Sequence, residues 1–95
     1  MPRPRKRRKV NFNPKVTYFK PRGVPMRNLE EVSLTHGEAE ALRLYDQEGL
    51  SQTKAAEKMD VSQSTFQRII KNSHQKVAEG LIEGKAIRID LIDDL

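Results

Sequence analysis

The sequence predicts a mainly α-helical domain of three helices, the third one long, with two short β-strands and a disordered basic arm at the amino terminus. Three observations carry this. Thr35, Ser51 and Ser62 each stand where a helix would be capped, ahead of apolar residues at helical spacing. Runs rich in β-branched and aromatic or alternating apolar residues, "VTYF" and "KAIRI", occur only toward the two ends. The first nine residues hold six basic side chains and no acid.

Ninety-five residues make one domain at most, and a chain of this size buries roughly 60–65% of the surface it exposes when unfolded. Hydrophobic residues are 36% of the chain, and its aromatic residues are Phe12, Tyr18, Phe19, Tyr45 and Phe66. That suffices for a small helical core, which a partner chain would enlarge. Without cysteine there is neither a disulfide framework nor a thiolate metal site. The basic start runs into "VNFNPKVTYF" where a signal peptide needs an apolar run, and no stretch would span a membrane, so a cytoplasmic protein is expected.

The arm comprises residues 1–9, with Arg3, Arg5, Lys6, Arg7, Arg8 and Lys9. Taking these six from the 18 basic residues leaves 12 against 13 acidic, a net charge of −1 for a chain that totals +5. The arm has nothing apolar to bury and its charges repel, so it is expected to stay unfolded. Clustered Arg and Lys displace counterions from phosphate, which points to nucleic acid. A merely solubilising tail is the plainer alternative.

Residues 10–33 follow as an extended segment. Pro14, Pro21, Pro25 and Gly23 exclude a long helix. "VTYF" at 16–19 reads as a strand, "KPRGVP" as a turn and "NLEEVSL" as a helical turn. A helical domain is expected over 34–83. Thr35-His36-Gly37-Glu38 has the form of a capping box, with Leu34 placed as a staple. Ala41, Leu42 and Tyr45 give the first helix its stripe and Gly49 ends it. The second helix is expected from Gln52 to Met59. The third runs from Gln63 to Glu83, with Phe66, Ile69, Ile70, Val77 and Leu81 at helical spacing. Gly80 inside it costs about 1 kcal/mol relative to alanine, which predicts a bend or fraying there. After Gly84, residues 84–95 hold the second strand and an acidic tail. The two strands are expected to pair, within one chain or between two.

Only Asp60 and Val61 separate the second helix from the cap of the third. Ala56 is small where a large side chain would hold the two helices apart. Asp60 occupies the turn position that favours positive φ, and Val61 and Phe66 flank the turn as apolar anchors. This is the pattern of a helix-turn-helix, in which the second helix of the pair enters the major groove of DNA. Gln63, Ser64, Gln67 and Arg68 are the expected base readers, because amides match adenine edges and guanidinium matches guanine. Gln52, Ser62, Thr65 and Lys71 are expected on the backbone, with the six cations of the arm. The competing reading is a small bundle with a solvated polar face.

The stretches "MPRPRKRRKV", "VTYFKPRGVP", "LEEVSLTHGEAEALRLYDQEGLSQ", "AAEKMDVSQSTFQRII" and "KVAEGLIEGKAIRI" resemble the prokaryotic UPF0251 family, also called DUF134, over almost the whole chain. Residues 34–81 are also similar to the region-4 helix-turn-helix of sigma-70-type sigma factors, which binds promoter −35 elements. The resemblance implies a DNA-binding protein. It also implies that some relatives carry a further domain like those that bind the nitrogenase iron–molybdenum cofactor, and this chain ends before such a domain. Asp60 stands where a glycine is usual and Gly80 where a more helical residue is typical, and both are expected to loosen the fold.

Catalytic patterns are missing. His36 and His74 are far apart without ligand-spaced partners, Asp93 and Asp94 form no pocket at a terminus, and no Gly-rich phosphate loop or nucleophile elbow occurs. No enzyme activity, cofactor or metal is expected. The expected function is sequence-specific binding of double-stranded DNA in transcription regulation. The alternative is a helix-turn-helix that docks on RNA polymerase, with the arm holding RNA nonspecifically. A homodimer is expected, because Val77, Ala78, Leu81 and Ile82 extend an apolar stripe and "KAIRI" needs a strand partner. Two-fold pairing there would set two reading helices about 34 Å apart.

Overall fold

A computed structural model describes residue 10 and residues 13–91. The arm with Arg3, Arg5, Lys6, Arg7, Arg8 and Lys9 lies outside the described residues, and so does the end of the acidic tail. The described chain forms strand β1 (Tyr18–Phe19), a 3-10 turn (Met26–Asn28), strand β2 (Glu31–Thr35), helix α1 (His36–Leu42), a π-wound turn (Arg43–Gln47), helix α2 (Gln52–Met59), helix α3 (Gln63–Glu83) and strand β3 (Ala86–Asp90).

The helix boundaries follow from their caps. The Thr35 hydroxyl accepts from the Glu38 amide at 3.0 Å, and the Glu38 carboxylate accepts from the Thr35 amide at 2.9 Å, closing the capping box. Ser51 and Ser62 accept from the amides of Lys54 and Thr65, each at 3.1 Å. What the sequence predicts as one first helix changes winding after Leu42. Glu48 N–H reaches back five residues to the Arg43 carbonyl at 2.9 Å. Gly49, at φ 74, then lets Leu50 N–H bond the Leu44 carbonyl at 3.1 Å.

The sheet departs from the expectation of two strands. It has three, in the order β1-β3-β2. "VTYF" and "KAIRI" pair as expected and within the chain, antiparallel, with Tyr18 opposite Arg88 and Phe19 opposite Ile87. The segment predicted as a helical turn holds β2 instead, parallel to β3, with Val32 beside Ile87 and Leu34 beside Ile89. A parallel pair requires a long crossover, and here the whole helical unit from α1 to α3 serves as that crossover. Val32, Leu34, Ile87 and Ile89 occupy alternate positions on one face. The other face is polar: Tyr18 Oη donates to Glu31 at 2.8 Å and Arg88 Nη2 to the Ser33 hydroxyl at 3.1 Å. The bond to Glu31 pushes the Tyr18 phenol above its ordinary value.

The core joins Ala41, Leu44, Ala55, Ala56, Met59, Phe66, Ile69 and Ile70. Polar ties fix α1 on its neighbours. Ser73, fully buried, donates to the Glu38 carbonyl at 3.0 Å, and Lys76 Nζ reaches Glu38 Oε1 at 2.7 Å. Glu40 is 1% exposed and takes two bonds from Arg43, at 2.7 and 3.0 Å. A buried carboxylate is tolerable only when paired in this way, and the pairing raises the Arg43 pKa. At the far end of α3, Lys85 bonds Glu79 at 2.6 Å and lies 3.3 Å from Glu83, which holds its ammonium protonated well above the usual lysine range.

Gly80 does not interrupt α3, which runs unbroken to Glu83 and closes on Gly84 at φ 68. The glycine serves a close approach. A Cβ at position 80 would stand 2.6 Å from Ile87 Cγ1 and 2.8 Å from Ile87 Cδ1. Gly80→Ala is therefore expected to destabilise the protein by about 1 kcal/mol, because overpacking at about 1–3 kcal/mol outweighs about 1 kcal/mol of helix propensity. In an Ile87→Ala background the same change is expected to stabilise. Urea midpoints over the double-mutant cycle check this, and equal effects in both backgrounds would remove the steric explanation.

Candidate nucleic-acid interface

The turn between α2 and α3 has the predicted geometry. Asp60 is left-handed at φ 56 and ψ 45, alone among the described non-glycine residues in having positive φ. That conformation lets Asp60 N–H bond the Glu57 carbonyl and Val61 N–H the Ala56 carbonyl, both at 3.1 Å. Ala56 is buried at the helix contact and Val61 packs against the core, so the short turn is closed by backbone bonds on one side and apolar contact on the other. Asp60 thus adopts the left-handed conformation that the turn needs, and its backbone completes the cap.

With Phe66, Ile69 and Ile70 buried, Ser64, Gln67, Arg68 and Lys71 are left exposed on the opposite side of α3. They line an open cleft of about 650 Å³, closed on its other walls by Gln52 at the start of α2 and by Tyr45. Five of the predicted contact residues are thus brought together: Gln52, Ser64, Gln67, Arg68 and Lys71. The lining includes two cations and no carboxylate. It is suited to an anionic polymer bearing hydrogen-bonding edges.

Three predicted residues lie apart from this cleft. Ser62 turns its hydroxyl to the helix start and donates to Thr65 Oγ1 at 2.9 Å. Ser62 and Thr65 thereby engage each other besides forming the cap, leaving less hydroxyl capacity for phosphate than expected. Gln63 accepts at its side-chain oxygen from Thr53 at 3.3 Å, a bridge across the turn.

The cleft also holds residues outside the predicted base and backbone contacts, among them His74, expected from its place on the long helix to lie near DNA or a partner. Tyr45, predicted as part of an apolar stripe, sits edge-on to Phe66 with ring centroids 6.2 Å apart and extends into the cleft wall. His74 and Gln75 continue the lining one turn beyond Lys71. Their spacing from Gln67 and Lys71 was a legible signal of a shared face. The partner of His74 was not: its Nε2 lies 2.7 Å from Asp46 Oδ2, 28 positions away in the chain.

Residues 1–92 match a family described as "Protein of unknown function DUF134". The chain belongs to the DUF134 family. Over 90 residues, or 95% of its length, it is 58% identical to UPF0251 protein Teth39_0655 of Thermoanaerobacter pseudethanolicus, covering 76% of that protein. It is 54% identical to a UPF0251 protein of Desulforudis audaxviator and 50% identical to one of Halothermothrix orenii, covering 59% and 67% of them. This DUF134 chain thus spans between about three-fifths and three-quarters of the length of those relatives. No solved structure matches it. Among the described residues no cluster of His, Asp and Glu is arranged to hold a metal ion, and no helix is long and apolar enough to cross a membrane.

Proposed function

We propose that this DUF134 protein is a cytoplasmic, sequence-specific DNA-binding regulator of transcription, a binding protein and not an enzyme, that reads the major groove with the first turns of α3. The observation that carries this reading is the capped and tightly turned α2–α3 pair, with Gln67, Arg68 and Lys71 on a cleft that no carboxylate lines. Gln67 and Arg68 carry the donors and acceptors for base edges, while Lys71 and Gln52 suit phosphates on either side. At 21 residues α3 is about 31 Å long, well beyond a groove about 12 Å wide, so its last turns project away from the duplex.

The arm adds a sequence-independent term. Its six cations precede β1, and their contribution to affinity is electrostatic. Of the two features that favour a second copy of the chain, one no longer does so, since β3 has strand partners on both sides within the chain. The case for a homodimer narrows to Leu81 and Ile82, which are 72% and 84% exposed on the projecting end of α3.

Selection from a pool of random duplexes tests the reading. Enrichment of one sequence pattern over successive rounds is expected. Retention of all duplexes alike, with no pattern emerging, would favour the docking alternative, in which the motif contacts protein and the arm alone holds nucleic acid.

A further inference from the structure

His74 lies at the end of the cleft farthest from the α3 cap, one turn past Lys71, and is about half exposed. Its imidazole is fixed from the side by the π-wound turn. Asp46 Oδ2 lies 2.7 Å from Nε2, and the Tyr45 ring stands 6.3 Å away at 46°. A carboxylate near neutral pH only accepts, so Nε2 carries the hydrogen of that bond. The second ring nitrogen, Nδ1, is then a bare lone pair in the neutral ring and a donor only in the imidazolium. A phosphate oxygen also only accepts. It is repelled by the neutral ring in this arrangement and attracted by the protonated one.

We infer that His74 is a further DNA contact, a ligand for a backbone phosphate that binds with uptake of one proton from solvent onto Nδ1. This rests on the reading that α3 lies on DNA. The charged groups around His74 set the balance. Asp46, from the 43–47 turn, favours the imidazolium. Lys71 and Arg68, along the same face of α3, oppose it, and α2 contributes only the uncharged Gln52. Tyr45 presents a neutral ring. Lys76 is turned to Glu38, at 2.7 Å, and does not line the cleft. In the free protein one anion faces two cations. A bound phosphate adds a second anion and tips the ring toward protonation, so affinity rises as pH falls through the histidine range.

The test is equilibrium binding of the full chain to its selected duplex by fluorescence anisotropy at constant ionic strength between pH 6 and 8. Wild type, His74→Gln and Asp46→Asn are compared. Glutamine donates to phosphate without titrating. Wild type is expected to lose about tenfold more affinity than His74→Gln across that range, within the limit of about tenfold per pH unit that full uptake of one proton sets. All other titratable groups are common to both proteins and cancel in the comparison. Asp46→Asn keeps an acceptor but removes the counter-ion, so its curve is expected to shift to lower pH. Parallel curves for wild type and His74→Gln, with both binding tightly, would overturn the assignment and leave the reading of α3 intact. An unshifted Asp46→Asn curve would also overturn it. Absence of duplex binding at every pH would overturn both.

Discussion

Deleting residues 1–9 is expected to weaken binding to every duplex nearly alike and to lower the salt dependence of log K by up to about 5, from six cations at about 0.9 each. Over a fourfold rise in salt a change of that slope corresponds to about 10³ in affinity, the largest single effect expected here. The reason lies in how charge is divided along the chain. Without the arm the protein carries 12 basic and 13 acidic residues, so the folded body has little net attraction for DNA at long range. On the proposed function the cleft would then supply discrimination, and the arm most of the electrostatic affinity. Binding isotherms from 50 to 200 mM salt check this for the full and truncated chains. An unchanged slope would mean that the arm stays in solvent and that the body alone neutralises phosphate.

Phe66→Ala is expected to cost about 3–5 kcal/mol of stability. Phe66 is fully buried, the largest side chain in the core, and stands edge-on to Tyr45 beside Leu44, Met59 and Ile70. It follows the turn by one helical turn of α3, so it sets both the packing of the core and the angle at which the exposed face of α3 is presented. A domain of this size has about 5–15 kcal/mol in total, so the loss is a large part of it. Urea unfolding followed by circular dichroism checks the figure. A fall in midpoint at constant m is expected. A loss below about 1 kcal/mol would contradict the placement of Phe66 at the centre of the core.

How much of this was legible in the sequence divides along the distance between partners. Caps and turns are local. Thr35 with Glu38, Ser51, Ser62, and Asp60 at positive φ all involve residues within a few positions of each other, and the structure has them as expected. The strand at Glu31–Thr35 was not legible. Val32 and Leu34 alternate as a strand requires, but so short a run, led by Glu30 and Glu31, reads equally well as a helical turn. What decides is the parallel partner Ala86–Asp90, more than fifty positions away. Gly80 stands out in the sequence as an oddity in a helix and reads there as a weak point. Its reason is Ile87 across the helix–sheet contact, which no pattern inside α3 discloses. The same holds for the site. Gln67, Arg68 and Lys71 follow from helical spacing alone, whereas the Asp46–His74 pair depends on the π-wound turn that brings residue 46 beside His74.

The most direct measurement of the central claim, that α3 reads base pairs through its exposed first turns, compares Arg68→Ala with wild type on the selected duplex and on random duplex DNA at one salt concentration. Arg68 lies in the cleft, one turn into α3, beside the buried Ile69 and Ile70. A guanidinium that bonds a guanine edge is worth about 1–3 kcal/mol of discrimination at one base pair. The expected result is a loss of that size on the selected duplex, a much smaller loss on random DNA, and relaxed preference at a single position when selection is repeated with the variant. Equal losses on both duplexes, with the preferred pattern unchanged, would show that Arg68 touches only phosphate and would contradict the account.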